Sequence, residues 1–298
     1  MDSGSLMLQY LLSGITKGSI YAVVAIGFNL IYSATGVLNF AQGEFVMLGG
    51  MVAVTLVQWG LPLVVAVSGA TLVVCAVGCL LEVTFFRKLR RHSILHMIII
   101  TMGLSIVIQE IALHVWDEKV RSLPYFTGNE VSSLRFLGAA ISPQVLWVLG
   151  TIAVTVLLLH FFLRRTLQGR AMRACASNPE AAMLAGINIP NMRTLSFALS
   201  AALGGLAGCV ISPITMTHYE MGAPLAIKGF AAAILGGLGN PMAAVAGGLA
   251  VGVLEAFAVS RLPAAYSDVA AFAVLLLVLF IRPHGLFGQP EGEAVREH

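Results

Sequence analysis

The stretch "RACASNPEAAMLAGINIP", Arg173 to Pro190, interrupts a chain otherwise made of long apolar runs. Asn178-Pro179-Glu180 has the grammar of a helix start: an Asn cap, a proline at the first helical position and an acid facing the positive end of the helix dipole. The pattern predicts a short helix over 179–187. Its residues Ala181, Ala182, Met183, Leu184, Ala185 and Ile187 are small or apolar and carry no charge. Such a helix in water is an exposed apolar patch unless something covers it. A helix lying on the bilayer surface would carry Lys or Arg on one face and Trp, Phe or Leu on the other, which this one does not, so a protein partner is the simpler cover.

Outward from that stretch the composition is that of a membrane protein. Of 298 residues, 58% are hydrophobic and only 10% charged, with mean hydropathy +0.91, where soluble domains carry roughly 25% charged residues. A span needs about 20 apolar residues with every backbone polar group satisfied internally, so the runs read as helices of an all-α polytopic membrane protein. They cover 8–32, 41–59, 62–86, 94–115, 144–163, 191–212, 224–238, 241–259 and 265–281. Two are irregular: 41–59 holds Gln42, Glu44 and Gly49-Gly50, and 224–238 is short. The opening "MDSGSLMLQYLLSG" lacks the basic region and small-residue cleavage site of a signal peptide, which predicts that it is retained.

Lys and Arg placement sets the orientation. Arg87, Lys88, Arg90 and Arg91, then Arg164, Arg165, Arg170, Arg173 and Arg193, then Arg282, mark cytoplasmic positions, whereas the 116–143 connection has no positive bias and is assigned outside. If every segment crosses, the N-terminus is outside and the C-terminus inside. A weak internal repeat agrees: "GEFVMLGG" (Gly43–Gly50) resembles "KGFAAAILGG" (Lys228–Gly237), and "AVGCLLE" (Ala76–Glu82) resembles "AVGVLE" (Ala250–Glu255). The copies run in opposite senses, the pattern of an inverted repeat. The chain therefore divides into a first half-repeat at 6–115, a cytoplasmic loop at 168–190 and a second half-repeat at 191–282, within one transmembrane domain of residues 1–298.

Three longer stretches carry a family resemblance: "GSIYAVVAIGFNLIYSATGVLNFAQGEFVMLGG" (Gly18–Gly50), "AMRACASNPEAAMLAGIN" (Ala171–Asn188) and "FAAAILGGLGNPMAAVAGGLAVGVLE" (Phe230–Glu255). They resemble the H-type permease subunit of branched-chain amino acid ABC importers, over about Gly14 to Gly288 including the closing "IRPHGLFG". The resemblance implies a type II importer bundle in a bacterial inner membrane. It also implies a heterodimer with a homologous M-type permease, two ATP-binding cassette subunits and a periplasmic binding protein, alongside membrane lipid and without nucleic acid. The segment Ser177 to Ile187 becomes the coupling helix, with Ser177, Asn178, Glu180, Ala181, Ala182, Ala185 and Gly186 against an ATPase. Members commonly show Arg-Pro-Leu-Arg after the third segment; this chain has Arg87-Lys88-Leu89-Arg90, which touches that loop's shape only. Urea and short-amide permeases share these motifs, so the resemblance leaves the cargo open.

The residues agree with a division of labour. The chain contains no G-x-x-x-x-G-K-[ST] loop, no H-E-x-x-H and no CxxC pair, which predicts a non-catalytic subunit without cofactors of its own, ATP and Mg belonging to the partner ATPases. A self-contained secondary transporter or channel is the alternative, and the coupling-type helix speaks against it. The four cysteines read as packing residues, and the scattered histidines as interfacial or structural. Polar residues inside spans are costly in hydrocarbon and so become the pathway candidates: Asn29, Asn39, Gln42, Glu44 and Lys228. Glu82, Glu110 and Glu255 lie near segment ends, where they are expected to snorkel or cap neighbours, and no salt bridge between Glu44 and Lys228 is expected.

Overall fold

The computed structural model describes residues 3–88, residues 94–261 apart from 130, 131, 133, 137 and 138, and the isolated positions 269, 273, 276, 280 and 285. The helices are α1 (Ser3–Thr35), α2 (Gln42–Gln58), α3 (Leu63–Thr84), α4 (Ile94–Trp116), α5 (Pro143–Arg165), α6 (Leu167–Ser177), α7 (Pro179–Leu184), α8 (Ile189–Thr215), α9 (Gly222–Gly236) and α10 (Pro241–Arg261). Six of them, α1, α3, α4, α5, α8 and α10, are long and apolar enough to cross a membrane, and α2 and α9 are the shorter apolar pair. The two runs that read as irregular are those two short helices. The ninth run, 265–281, lies almost wholly outside the described residues. One element departs from an all-α chain: the 116–143 connection carries an antiparallel hairpin, β1 (Leu134–Phe136) with β2 (Ala139–Ile141), pairing Leu134 with Ile141.

Turn chemistry places the breaks. Gly36 stops α1 with φ +68°, its amide donating to Tyr32 O, and Gly60 separates α2 from α3 at φ +86°. Ser142, Asn178 and Asn188 cap α5, α7 and α8 through side-chain oxygens, each followed by a proline in the first helical turn.

α1 and α8 are the most buried spans, and the core between them and α2 is filled by Phe28, Phe45, Phe197, Met47 and Met51. Helices meet at backbone distance where glycine allows it. Gly14 and Gly18 on α1 face Gly248 and Gly252 on α10, two small-xxx-small pairs, and a β-carbon on Gly252 would fall on the Gly18 backbone. α2 and α8 are as close, with Gly208 against Val46 O. Lipid tails give no hydrophobic drive between helices, so this close packing holds the bundle together. By contrast α3, α4 and α5 turn apolar faces outward, including Leu72, Leu80, Ile99, Ile106 and Leu157.

The three tryptophans mark one end of the bundle. Trp59 follows α2, Trp116 ends α4 and donates from Nε1 to Thr55 Oγ1 at 2.7 Å, and Trp147 lies in the first turns of α5. Arg121 ties that end together: it bonds Gln58 and the Trp116 carbonyl and pairs backbone-to-backbone with Thr217 beyond α8. This is the outer end by the charge rule, and the aromatic belt suits it. Arg164, Arg165, Arg170 and Arg173 lie at the opposite end, with α6 and α7.

Candidate functional site: two half-helices inside the bundle and an arginine-rich corner

α2 does not start at a membrane surface. Its first residue, Gln42, donates from Nε2 to Ser200 O at 3.3 Å, and Ser200 lies eleven residues into α8, about 16 Å from that helix's start. Ser200 Oγ lies 2.6 Å from Gln42 Oε1 and 3.0 Å from Gly27 O, so its proton ties α2 or α1 to α8. Two residues on, Glu44 Oε1 accepts from Ser105 Oγ at 2.8 Å, and Ser105 is likewise eleven residues into α4. The start of α2 is therefore near the middle of a hydrocarbon layer about 30 Å thick. α9 starts beside it: a β-carbon on Gly222 would land on the Glu44 carboxylate, and one on Gly43 would meet Gly222 O. Two helix N-termini, each the positive end of a dipole, thus converge on one buried carboxyl group. Short helices broken at mid-depth are where transporters place their sites.

The other polar candidates are sorted by this geometry. Asn39 Oδ1 accepts from Ala41 N and shapes the turn into α2. Asn29 Oδ1 accepts from Gly239 N at 2.7 Å and holds the turn after α9, where Ser33 Oγ also donates to Gly239 O. Among the described residues Asn29 Nδ2, Asn39 Nδ2 and Glu44 Oε2 are buried without a hydrogen-bond partner. The structure brings Asn39, Gln42 and Glu44 together and does not bring Lys228 to them.

Lys228 belongs to a separate cluster. The Glu255 carboxylate accepts from Lys17 Nζ at 2.9 Å, Lys228 Nζ at 3.3 Å and Tyr21 OH at 2.7 Å, joining α1, α9 and α10. The Lys228 ammonium also lies 5.6 Å from the Tyr21 ring centroid, over its face. Glu255 therefore does not snorkel, contrary to the expectation from its place near a segment end: it is buried and ion-paired. Glu82 is corrected in the same way, buried and accepting from Thr194 Oγ1 across α3 and α8. Sequence reading missed Lys17; its one signal was Tyr21 a helical turn further on, facing the same way. Glu110 is the third of these acids, and it is exposed on α4.

At the arginine-rich corner, Asn178 Oδ1 accepts from Ala181 N at 3.0 Å, the cap that the sequence predicts. The helix is shorter than 179–187 because Gly186 takes φ +82°, its amide donating to Met183 O while Ile187 N donates to Ala182 O, a Schellman ending. Ala182 is corrected as a docking residue: it is 4% exposed, packed within the chain itself. Ser177, Asn178, Glu180, Ala181, Ala185 and Gly186 are exposed, and the most prominent side chains are Met183 at 61% and Leu184 at 87%. The loop before it is not irregular. α6 buries Gly169, Met172 and Cys175 and exposes Arg170 and Arg173, and a β-carbon on Gly169 would strike Phe162 O. That three-residue spacing was the signal of α6 in the sequence, hidden under its arginines.

Comparison with known proteins covers most of the chain. Residues 10–279 match the family model described as "Branched-chain amino acid transport system / permease component". The high-affinity branched-chain amino acid transport system permease protein LivH of Salmonella typhimurium is 35% identical over 97% of both chains. The corresponding BraD of Pseudomonas aeruginosa is 36% identical over 97% of this chain and 98% of its own. Among solved structures, a chain of PsaBC from Streptococcus pneumoniae in complex with Fab aligns with TM-score 0.50 over 95% of this chain and 93% of that one, at 12% identity, a likeness of fold.

Proposed function

The chain belongs to the family of permease components of branched-chain amino acid transport systems, and from that premise we propose that it forms half of the membrane pathway of an ATP-driven importer of branched-chain amino acids. The cargo reading follows the relatives, whose printed function is high-affinity branched-chain amino acid transport. Its membrane partner is a homologous M-type permease, a binding protein delivers the amino acid from outside, and two ATPase subunits on the cytoplasmic side bind ATP and Mg.

The observation that carries the coupling part is α7. A capped, Schellman-ended helix of six residues, placed on the cytoplasmic face, holds Met183 and Leu184 exposed, and its own one charge is Glu180. Seating such a leucine in a partner's groove is favourable by about 1.5–3 kcal/mol, and the self-contained ends let the helix move as a unit with its partner. Asn39, Gln42 and Glu44 are the pathway candidates that fit best, because they lie where two half-helices meet at mid-depth, and Asn39 and Glu44 each retain a buried polar atom without a partner.

The test is co-purification of the ATPase subunits with this chain, and ATP-dependent leucine uptake in vesicles, for wild type and Leu184→Arg. The reading requires retention and uptake in wild type and loss of both in Leu184→Arg at unchanged thermal stability. ATPase retained by Leu184→Arg contradicts the docking role of α7, and uptake without ATPases contradicts the importer.

A further inference from the structure

The ion-paired cluster of α1, α9 and α10 holds more positive charge than it balances. Lys17 and Lys228 share the single buried carboxylate of Glu255, at 2.9 and 3.3 Å, which leaves one positive charge in excess. Lys228 is 18% exposed, but Lys17 is 42% exposed. An ammonium has three protons to give, so Lys17 can hold Glu255 and still receive an anion from beyond the bundle. The depth of the cluster follows from α1. Gly27 touches the Gln42 side chain at the mid-depth start of α2, and Tyr21 and Lys17 stand six and ten residues before it, about 9 and 15 Å toward the outer end. A charge in a span is costly against lipid tails and as a rule faces protein or a water-filled cavity. α9 continues this side of the bundle inward. Pro224 and Ile227 are exposed on it, with Lys228 and Phe230 partly buried at the two edges of the same open side. The Phe230 ring packs against Phe28 and Phe40, with centroids 5.9 and 5.2 Å away, and Phe40 stands between Asn39 and the start of α2. The open side of α9 therefore joins the two lysines to the place where the half-helices meet.

We propose that Lys17, with Lys228 beside it, receives the carboxylate of the amino acid cargo in the outer half of the pathway, and that the aliphatic side chain of the cargo lies along Ile227 toward Phe230. The proposal rests on the importer reading above and assigns it a recognition residue. The chemistry is matched at both ends: surplus positive charge for a carboxylate, and apolar surface ending on an aromatic ring for a branched side chain. Glu255 orients the two ammonium groups without cancelling both. Lys228 then belongs to the pathway as a cation of this seat, apart from Glu44. Inward from the seat, cargo meets Phe230 and Phe40 before the level of Gln42.

The test uses the complete importer, with its ATPases, second permease and binding protein, in proteoliposomes. Leucine uptake and the midpoint of thermal unfolding are measured for wild type, Lys17→Met and Lys17→Arg. The proposal predicts that Lys17→Met lowers uptake about tenfold or more, as expected for loss of a charge-assisted bond, and that Lys17→Arg retains most of it. The unfolding midpoint of Lys17→Met should stay close to wild type, because Glu255 keeps Lys228 and Tyr21. A second arm leaves the cluster intact. Ile227→Cys should react with a membrane-impermeant maleimide, read by mass spectrometry of the peptide that carries residue 227, and saturating leucine with the binding protein should protect it. The leucine-free binding protein should not protect it, and adding Lys17→Met should remove the protection by leucine. Uptake unchanged in Lys17→Met, a cysteine at 227 reached only by lipid-soluble reagents, or equal protection with and without leucine overturns the proposal. Wild type that imports no leucine overturns the importer reading as well, which separates the two failures.

Discussion

Replacing Glu255 with glutamine keeps the shape of the side chain and removes the charge that Lys17 and Lys228 share. At 3.3 Å and an effective dielectric constant near 20, the attraction between Lys228 and Glu255 is about 5 kcal/mol, and much of it offsets the cost of taking both charges out of water. Lys17 is 42% exposed and lies at the edge of the cluster, but Lys228 is 18% exposed and held between α1 and α10. Removing one member of a buried pair costs about 3–5 kcal/mol; with Lys17 only half-buried, the lower end applies, about 3 kcal/mol. For a chain of this size that lowers the midpoint of thermal unfolding by on the order of 5–10 °C. Lys228→Met should cost less, because Glu255 keeps Lys17 and Tyr21. The double variant Lys228→Met/Glu255→Gln should be more stable than the sum of the single effects allows. The assay is thermal unfolding of the detergent-purified complex followed by tryptophan fluorescence or size-exclusion yield. Strict additivity of the two changes, or a Glu255→Gln protein as stable as wild type, would refute the view that this cluster pins α9 to α1 and α10.

Gly252→Ala places a methyl on the Gly18 backbone and should sharply reduce folded yield, whereas Gly103→Ala, with open space around residue 103, should leave yield unchanged; expression followed by gel filtration compares them. Ala182→Arg should destabilise the chain itself, since residue 182 is buried within it, so its loss of ATPase comes with a lower unfolding midpoint, in contrast to Leu184→Arg. Burial pushes the Cys175 thiol above its ordinary range, so less of it is thiolate at any given pH. Its alkylation should be slower than that of a free thiol at pH 8 and should accelerate as pH rises, which mass spectrometry of the labelled peptide reads directly. Gln42→Leu removes the ties to Ser200 and should cost about 1–3 kcal/mol, the penalty for leaving buried partners unsatisfied.

What could be read in the sequence follows the range of the interactions involved. The Asn178-Pro179 start of α7 was legible because a cap is a local event, decided by three consecutive residues. Its early end at Gly186 and the fold of α6 before it were not, since the first depends on a positive φ and the second on what Met172 and Cys175 bury against. The spans and the two irregular segments were legible because hydrophobic length is set by the bilayer. Their convergence was not: the contact of Gly43 with Gly222 joins residues in different halves, and nothing in the local pattern of either reveals it. Glu82 and Glu255 were misplaced for the same reason. Distance from a helix end counts residues along one helix, whereas Thr194, Lys17 and Lys228 reach them from others.

The central claim, that this chain is one membrane half of an ATP-driven amino acid importer, is tested most directly by reconstitution. The chain is placed in proteoliposomes with the M-type permease, the two ATPases and the binding protein, and labelled leucine uptake is followed with ATP, without ATP and with each component left out. Uptake should require ATP and every component. Leucine accumulation by this chain alone, or uptake that persists without ATP or without the second permease, would contradict it.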